Sequence, residues 1–261
     1  MSTLTLSRSS LLFDESEADF DSDHSDNTAV SVTANVVDTL IMSDIHLGSE
    51  VSRSKDALEM LKQYEFTRLI LNGDVFEDLN FKRLSKADWK FLSYIRKLSG
   101  HKHDVEVVWV AGNHDGIAEI LSHLLGITVY DEYIWEFESE KYLAIHGHQF
   151  DKFLTENVLI TNLATWFYQF FQRIDSDEQR LSRWMKQRSK TWLRVSEKIA
   201  LDAIAYAKQK RAKYVFCGHT HQAMELEKDG VLYVNSGCWT DVPSQCITID
   251  NIGGVILREY R

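Results

Sequence analysis

The amino-acid sequence predicts an α/β fold whose binding groups lie on loops at the carboxyl ends of strands. Three observations lead there. Apolar runs that read as buried strands recur along the chain and end in Asp, Asn or His. The first three alternate with segments of helical period, as in open sheets that bind ligands beyond the carboxyl ends of their strands. Between His146 and Lys213 helical period dominates, with no Pro and few Gly, which predicts a helical insertion.

In chain order, Asp14 to Asp26 (DESEADFDSDHSD) is acidic and Ser-rich, so residues 1–35 read as a disordered tail and the domain as 36–261. From Val36 the run VVDTLIMSDIHLGS predicts a strand delivering Asp44 and His46. Ser54 to Gln63 reads as a helix, Arg68 to Asp74 as a strand ending in Gly-Asp, and Ser85 to Leu98 as a second helix. Val105 to Ala111 (VEVVWVA) runs into Gly112-Asn-His-Asp115, and Tyr142 to Ile145 into His146-Gly-His148. The insertion spans about 152–212. Leu163, Phe167, Phe170, Phe171 and Ile174 recur at helical spacing in it, and so do Met185, Trp192, Val195 and Ile199. Strands resume at Lys213 to Cys217, which leads into Gly-His-Thr-His221, and at Val231 to Val234 and Gln245 to Ile249.

Composition narrows the function classes. A net charge of -10 argues against a nucleic-acid binder, which exchanges a basic surface for counterions. Twelve of the 29 basic side chains fall between Arg173 and Lys213, a local patch that suits an anionic ligand or leaflet. No apolar run approaches the roughly 18 to 20 residues that span a bilayer. The start of the chain lacks a secretory pattern, and Cys217, Cys238 and Cys246 form no CxxC pair. The expected location is therefore the cytoplasm, with peripheral contact at the inner face of an anionic membrane as the variant that the basic patch allows.

The strand ends collect Asp44-x-His46, Gly73-Asp74, Gly112-Asn-His-Asp115, His146-Gly-His148 and Gly218-His-Thr-His221. Carboxylate, imidazole and amide oxygen without thiolate suit Mn, Fe or Zn, with Mn the expected ion. The candidates are too many for one ion and fit two that share a carboxylate.

Motifs of these types in this order resemble the calcineurin-like metallophosphoesterase superfamily across nearly all of Val36 to Arg261. The resemblance implies a sandwich of two β-sheets flanked by helices, here with a helical insertion. It assigns Asp44, His46 and His221 to one metal, Asn113, His146 and His219 to the other, and Asp74 to both. It also implies direct attack of a metal-activated water on phosphorus, without a phosphoenzyme. On that reading His114, beside a ligand, faces the phosphate as acid or charge stabiliser, and Asp115 orients it. His148 is either a substrate contact or a solvated loop residue.

The run from His146 to Asp151, the aromatic and basic insertion, Val215 to Ala223 and Gly230 to Trp239 resemble the bacterial UDP-2,3-diacylglucosamine pyrophosphatase family and its near relatives. That implies hydrolysis of a lipid-linked nucleotide in lipid A synthesis. Aromatic residues such as Trp166 and Phe170 would line an acyl groove, and Arg183, Lys186, Lys190 and Arg194 would meet phosphates or an anionic leaflet. The alternative is that the aromatics pack the insertion onto the core and the basic residues form a solvated face. The best-known enzymes of that family carry Gly-Asn-Arg-Asp and His-Gly-Asp where this chain has Gly-Asn-His-Asp and His-Gly-His. Two other functions stand beside it: a soluble phosphodiesterase or phosphatase acting on nucleotides or small phosphoesters, and a non-catalytic binding protein on the same fold.

Overall fold

The computed structural model describes residues 35–100, 104–116, 122–123, 125–151 and 190–261. Residues 1–34 of the expected tail and 152–189 of the expected insertion lie outside them, and with them Arg183, Lys186 and the apolar and aromatic residues from Leu163 to Met185. The side chain of Lys190 likewise lies outside the described part, and Asn35, expected in the tail, opens the first strand.

The described chain builds β1 (Asn35–Met42), α1 (Ser54–Leu61), β2 (Tyr64–Asn72), α2 (Lys86–Leu98), β3 (Glu106–Val110), β4 (Val129–Tyr130), β5 (Glu132–Phe137) and β6 (Glu140–Ile145). After these come α3 (Lys190–Lys210), β7 (Tyr214–Cys217), β8 (Met224–Lys228), β9 (Val231–Asn235), β10 (Ser244–Ile249) and β11 (Val255–Tyr260). Two sheets result, ordered β11-β10-β1-β2-β3-β4 and β5-β6-β7-β9-β8. The centres are parallel, β1 to β4 in the first sheet and β6, β7 and β9 in the second, and antiparallel strands close the other edges. This is the two-sheet sandwich with flanking helices that the family resemblance implies.

The alternation of strand side chains explains the layers. In β1 and β2, Leu40, Met42, Leu69 and Leu71 face α1 and α2, in a cluster with Ala57, Leu61, Phe91 and Ile95. Their neighbours Ile41 and Ile70 point the other way and join Val108, Val110, Trp135, Tyr142, Phe216 and Val234 between the sheets. Both faces of these strands are buried, so they read as continuous apolar runs. Ser85 caps α2: its hydroxyl accepts from the Asp88 amide at 3.2 Å, and Asp88 accepts from the Ser85 amide at 2.7 Å.

The carboxyl-terminal part of the expected insertion is one helix, α3, seated on the outer face of the second sheet. It precedes β7, which pairs in parallel with β6. Ser196, Ile199, Ala200, Ala203, Ile204 and Ala207 form its buried stripe, and the three alanines and Ile204 cluster with Leu143, Val215 and Tyr233. Ile199, on the predicted stripe, is buried. Trp192 and Val195 are half-buried, and Arg194 is exposed.

Candidate metal centre

Every predicted ligand stands just past a strand's carboxyl end. Asp44 and His46 follow β1, Asp74 follows β2, Asn113 follows β3, His146 follows β6, and His219 and His221 follow β7. Parallel strands point these ends the same way, so the two sheets bring the groups together along their shared seam.

The loops continue the strands' pairing: the amides of Asp44 and His46 donate to the carbonyls of Gly73 and Asp74, both at 3.0 Å. Asp44, His46, Asp74, His219 and His221 all have positive φ, between 51° and 66°. Non-glycine residues rarely adopt this conformation, and each instance stores about 1–3 kcal/mol of strain. Two glycines make room. A Cβ on Gly73, itself at φ +87°, would lie 2.2 Å from His146 Nδ1. A Cβ on Gly218 would fall 2.3 Å from an Asp44 carboxylate oxygen and 2.5 Å from Ser43 Oγ.

Asp44, His46 and His221 form one group and Asp74, His146 and His219 another, and within each group one donor atom per residue lies within 4.8 Å of the others. In the first, His221 Nε2 is 3.1 Å from both His46 Nε2 and Asp44 Oδ1. In the second, His146 Nε2 is 3.2 Å from Asp74 Oδ2. That same Asp74 oxygen is 3.9 Å from His46 Nε2, so one carboxylate faces both groups. Asn113 is exposed on its loop, and the amide of its neighbour His114 donates to Asp74 Oδ1 at 2.9 Å.

His146 tests whether a metal fits. Its Nδ1 donates to the Asn72 carbonyl at 2.9 Å, and its Nε2 is buried, without a hydrogen-bond partner, and aimed at Asp74. Either a proton or a metal ion between this nitrogen and the carboxylate satisfies both, so the pair fits a cation. Two candidate His/Asp clusters of this kind, with no thiolate, suit divalent ions.

The electrostatics agree. Burial works against ionising Asp74 and Asp44, yet the neighbouring histidines hold both carboxyls below the usual range, Asp74 well below it. Burial likewise disfavours charge on His146, but Asp74 raises it to about 9, and Asp44 raises His221 in the same way. His148 goes the opposite way: burial, helped by His146 and His219, pushes it down to about 4. It is a neutral imidazole next to the second group, 5.5 Å from the His146 ring, and its buried Nδ1 has no hydrogen-bond partner.

The structure gives Asp115 a different task from the predicted one. Its Oδ1 accepts from the amides of Val75 and Phe76 at 2.8 and 3.1 Å, and its Oδ2 from Gly112 N and Trp109 Nε1 at 2.9 and 3.1 Å. The first two tie the β3 loop to the Asp74 loop, the other two brace the β3 loop on itself and on β3, and none reaches the imidazole of His114. His114 is oriented by the Glu77 carbonyl, to which its Nδ1 donates at 2.9 Å. The Glu77 carboxylate lies 2.9 Å from His46 Nδ1, and Asp151 Oδ2 lies 3.1 Å from His219 Nε2. Neither acid is singled out by the sequence. The one cue to Glu77 is its place three residues after Asp74.

Residues 37–249 match the sequence profile of the calcineurin-like phosphoesterase superfamily domain. A search of curated proteins finds no match. Solved structures similar to this chain include an archaeal phosphodiesterase, at 16% identity over 85% of this chain and 99% of that one, with a TM-score of 0.48. Yfce, a phosphoesterase from E. coli, matches at 16% over 85% and 97%, with a TM-score of 0.47. Vps29 from Entamoeba histolytica, complexed with zinc, matches at 13% over 85% and 97%, with a TM-score of 0.44. The profile runs from β1 to β10 and so takes in every strand that delivers a group to the site; the chain belongs to the calcineurin-like phosphoesterase superfamily, as a metal-dependent hydrolase.

Proposed function

We propose that the chain is a phosphodiesterase or phosphatase acting on nucleotides or other small phosphoesters, with two manganese ions as its working metals. The observation that carries this reading is the single Asp74 oxygen facing both ligand groups, 3.2 Å from His146 Nε2 and 3.9 Å from His46 Nε2. When bound, two divalent cations make water nucleophilic near neutral pH and offset charge on the phosphoryl oxygens. Asp44, His46 and His221 would hold one, Asn113, His146 and His219 the other, and Asp74 would serve both.

The protein's own groups do the rest. His114 commits Nδ1 to the Glu77 carbonyl, which leaves Nε2 to face the phosphoryl group or hand a proton to the leaving oxygen. His148, neutral and half-buried, offers a hydrogen bond without a charge. A retained ligand set under backbone strain speaks against a purely structural protein, because strain of this kind persists where function needs it.

The second reading is the acylated UDP-sugar as substrate, cleaved at an anionic membrane surface. It is favoured by the sequence from His146 to Asp151 and the basic residues after it, of which Arg194 is exposed on α3. One experiment separates the two: Mn-loaded protein assayed on bis(p-nitrophenyl) phosphate, p-nitrophenyl phosphate and UDP-2,3-diacylglucosamine, with Asp74→Ala as control. Faster cleavage of the aryl esters supports the first reading, and faster release of UMP the second. Turnover by Asp74→Ala at the wild-type rate would sink the dinuclear site.

A further inference from the structure

We propose that Asp151 is a positioning residue for the second metal: its carboxylate fixes the ring of His219 so that one chosen nitrogen meets the ion. The inference rests on the reading of His219 as a ligand.

Asp151 is only 6% exposed. A carboxylate taken out of water costs several kcal/mol unless it is paired, so its contacts matter. Its Oδ2 lies 3.1 Å from His219 Nε2. That engages Nε2 and leaves Nδ1 as the nitrogen available to an ion shared with Asp74 and His146. A carboxylate holding the far N–H of a metal-binding imidazole sets its tautomer, fixes its rotation and makes the ligating nitrogen more basic.

The rest of His219 is already immobilised. Its amide donates to both oxygens of Asp44, at 3.2 and 3.0 Å, and its φ is +66°. The side-chain torsions are the remaining freedom, and Asp151 acts on these. Asp151 is itself presented on a braced turn. The amides of Phe150 and Asp151 donate to the carbonyls of Gly147 and His148 at 3.1 Å, and the Phe150 ring packs against Tyr206 of α3 at 5.8 Å between centroids. One short turn between β6 and α3 therefore carries His148 toward the site and Asp151 behind a ligand.

Two of the other ligand histidines have comparable backing. His146 Nδ1 is held by the Asn72 carbonyl, and His46 Nδ1 faces Glu77. Without Asp151, His219 would lose its counterpart to these supports.

The test is calorimetric and EPR titration of metal-free protein with Mn²⁺, for wild type, Asp151→Asn and Asp151→Ala, with melting of the metal-free proteins alongside. The expected result is two ions in wild type. In Asp151→Ala the second should bind about 10- to 100-fold more weakly while the first is little changed. Asp151→Asn, which keeps an acceptor of the same shape, should fall between and guard against a misfolded Ala variant. A merely structural aspartate would lower the melting point and leave both affinities alone. Two ions bound by the variants within twofold of wild type would overturn the inference while leaving the site intact. A wild-type chain that binds no Mn²⁺ would remove the site and the inference together, whatever substrate it cleaves.

Discussion

Asp44, His46, Asp74, His219 and His221 account for five of the nine non-glycine residues with positive φ among those described, the others being Glu138, Ser139, Arg211 and Asp229. Strain is thus concentrated where the ligands turn off their strands, and small neighbours make it possible. Gly218→Ala tests this, because its new methyl group would collide with Asp44 and Ser43. We expect a loss of about 1–3 kcal/mol in stability and of metal binding at the Asp44 group, read by melting and Mn²⁺ titration. At this scale the sequence is informative where chemistry and position coincide. Asp and His residues after apolar strands announce themselves, whereas Asp115 looks like a partner for its neighbour His114 and in fact satisfies four donors, one on β3 and three on two loops. Glu77 and Asp151 matter because folding sets them behind His46 and His219. No local pattern marks a residue for a contact with a side chain 68 positions away, as Asp151 makes with His219.

Among elements, those buried on both faces were the easiest to anticipate. β1, β2, β3, β6, β7, β9 and β10 all coincide with apolar runs. β2 starts at Tyr64, ahead of the predicted Arg68, because its first turns alternate between exposed and half-buried and lack a continuous run. β8 and β11 carry charges on an exposed face at sheet edges, and β4 is two residues long, so none gives a distinct signal. α3, the described part of the expected insertion, covers the second sheet through a stripe of alanines. Ala200, Ala203 and Ala207 have no exposed surface, and only a small side chain lets the helix approach β7 and β9 this closely. Ala203→Leu should therefore overpack that interface and cost about 1–3 kcal/mol, seen as a lower midpoint in urea with an unchanged slope. If the variant keeps its midpoint, α3 is less closely seated than its burial indicates.

For the molecule as a whole, the charge state of the site links metal loading, pH and stability. Asp74 outweighs burial at His146 and raises it to about 9, above its usual 6.5. In the metal-free protein this pairing stabilises the fold fully below the unfolded value and is lost as pH rises through about 9. An ion takes the place of that proton, so loading releases protons and strengthens with pH over the same window. We expect Mn²⁺ to raise the melting temperature more at about pH 9 than at about pH 6. At a hundredfold excess over Kd the gain is about 2.7 kcal/mol, or about 5–10 °C for a chain of this size. EDTA should reverse the shift, and Asp74→Ala should show none. A shift that is flat across this range would remove His146 as the group that exchanges its proton for the ion.

Asn72 gives the seam between the sheets a further meaning. It closes β2 of the first sheet, and its side-chain amide donates to the carbonyls of Ile145 and Phe216, on β6 and β7 of the second, at 3.4 and 3.1 Å. Its own carbonyl holds His146. One residue therefore reads the offset between the two sheets and transmits it to a ligand. Slippage of one sheet against the other, far out along either, would arrive at the metal centre as a rotation of an imidazole. The centre is thereby tied to the register of the two sheets, because the residue that spans them also holds one of its imidazoles.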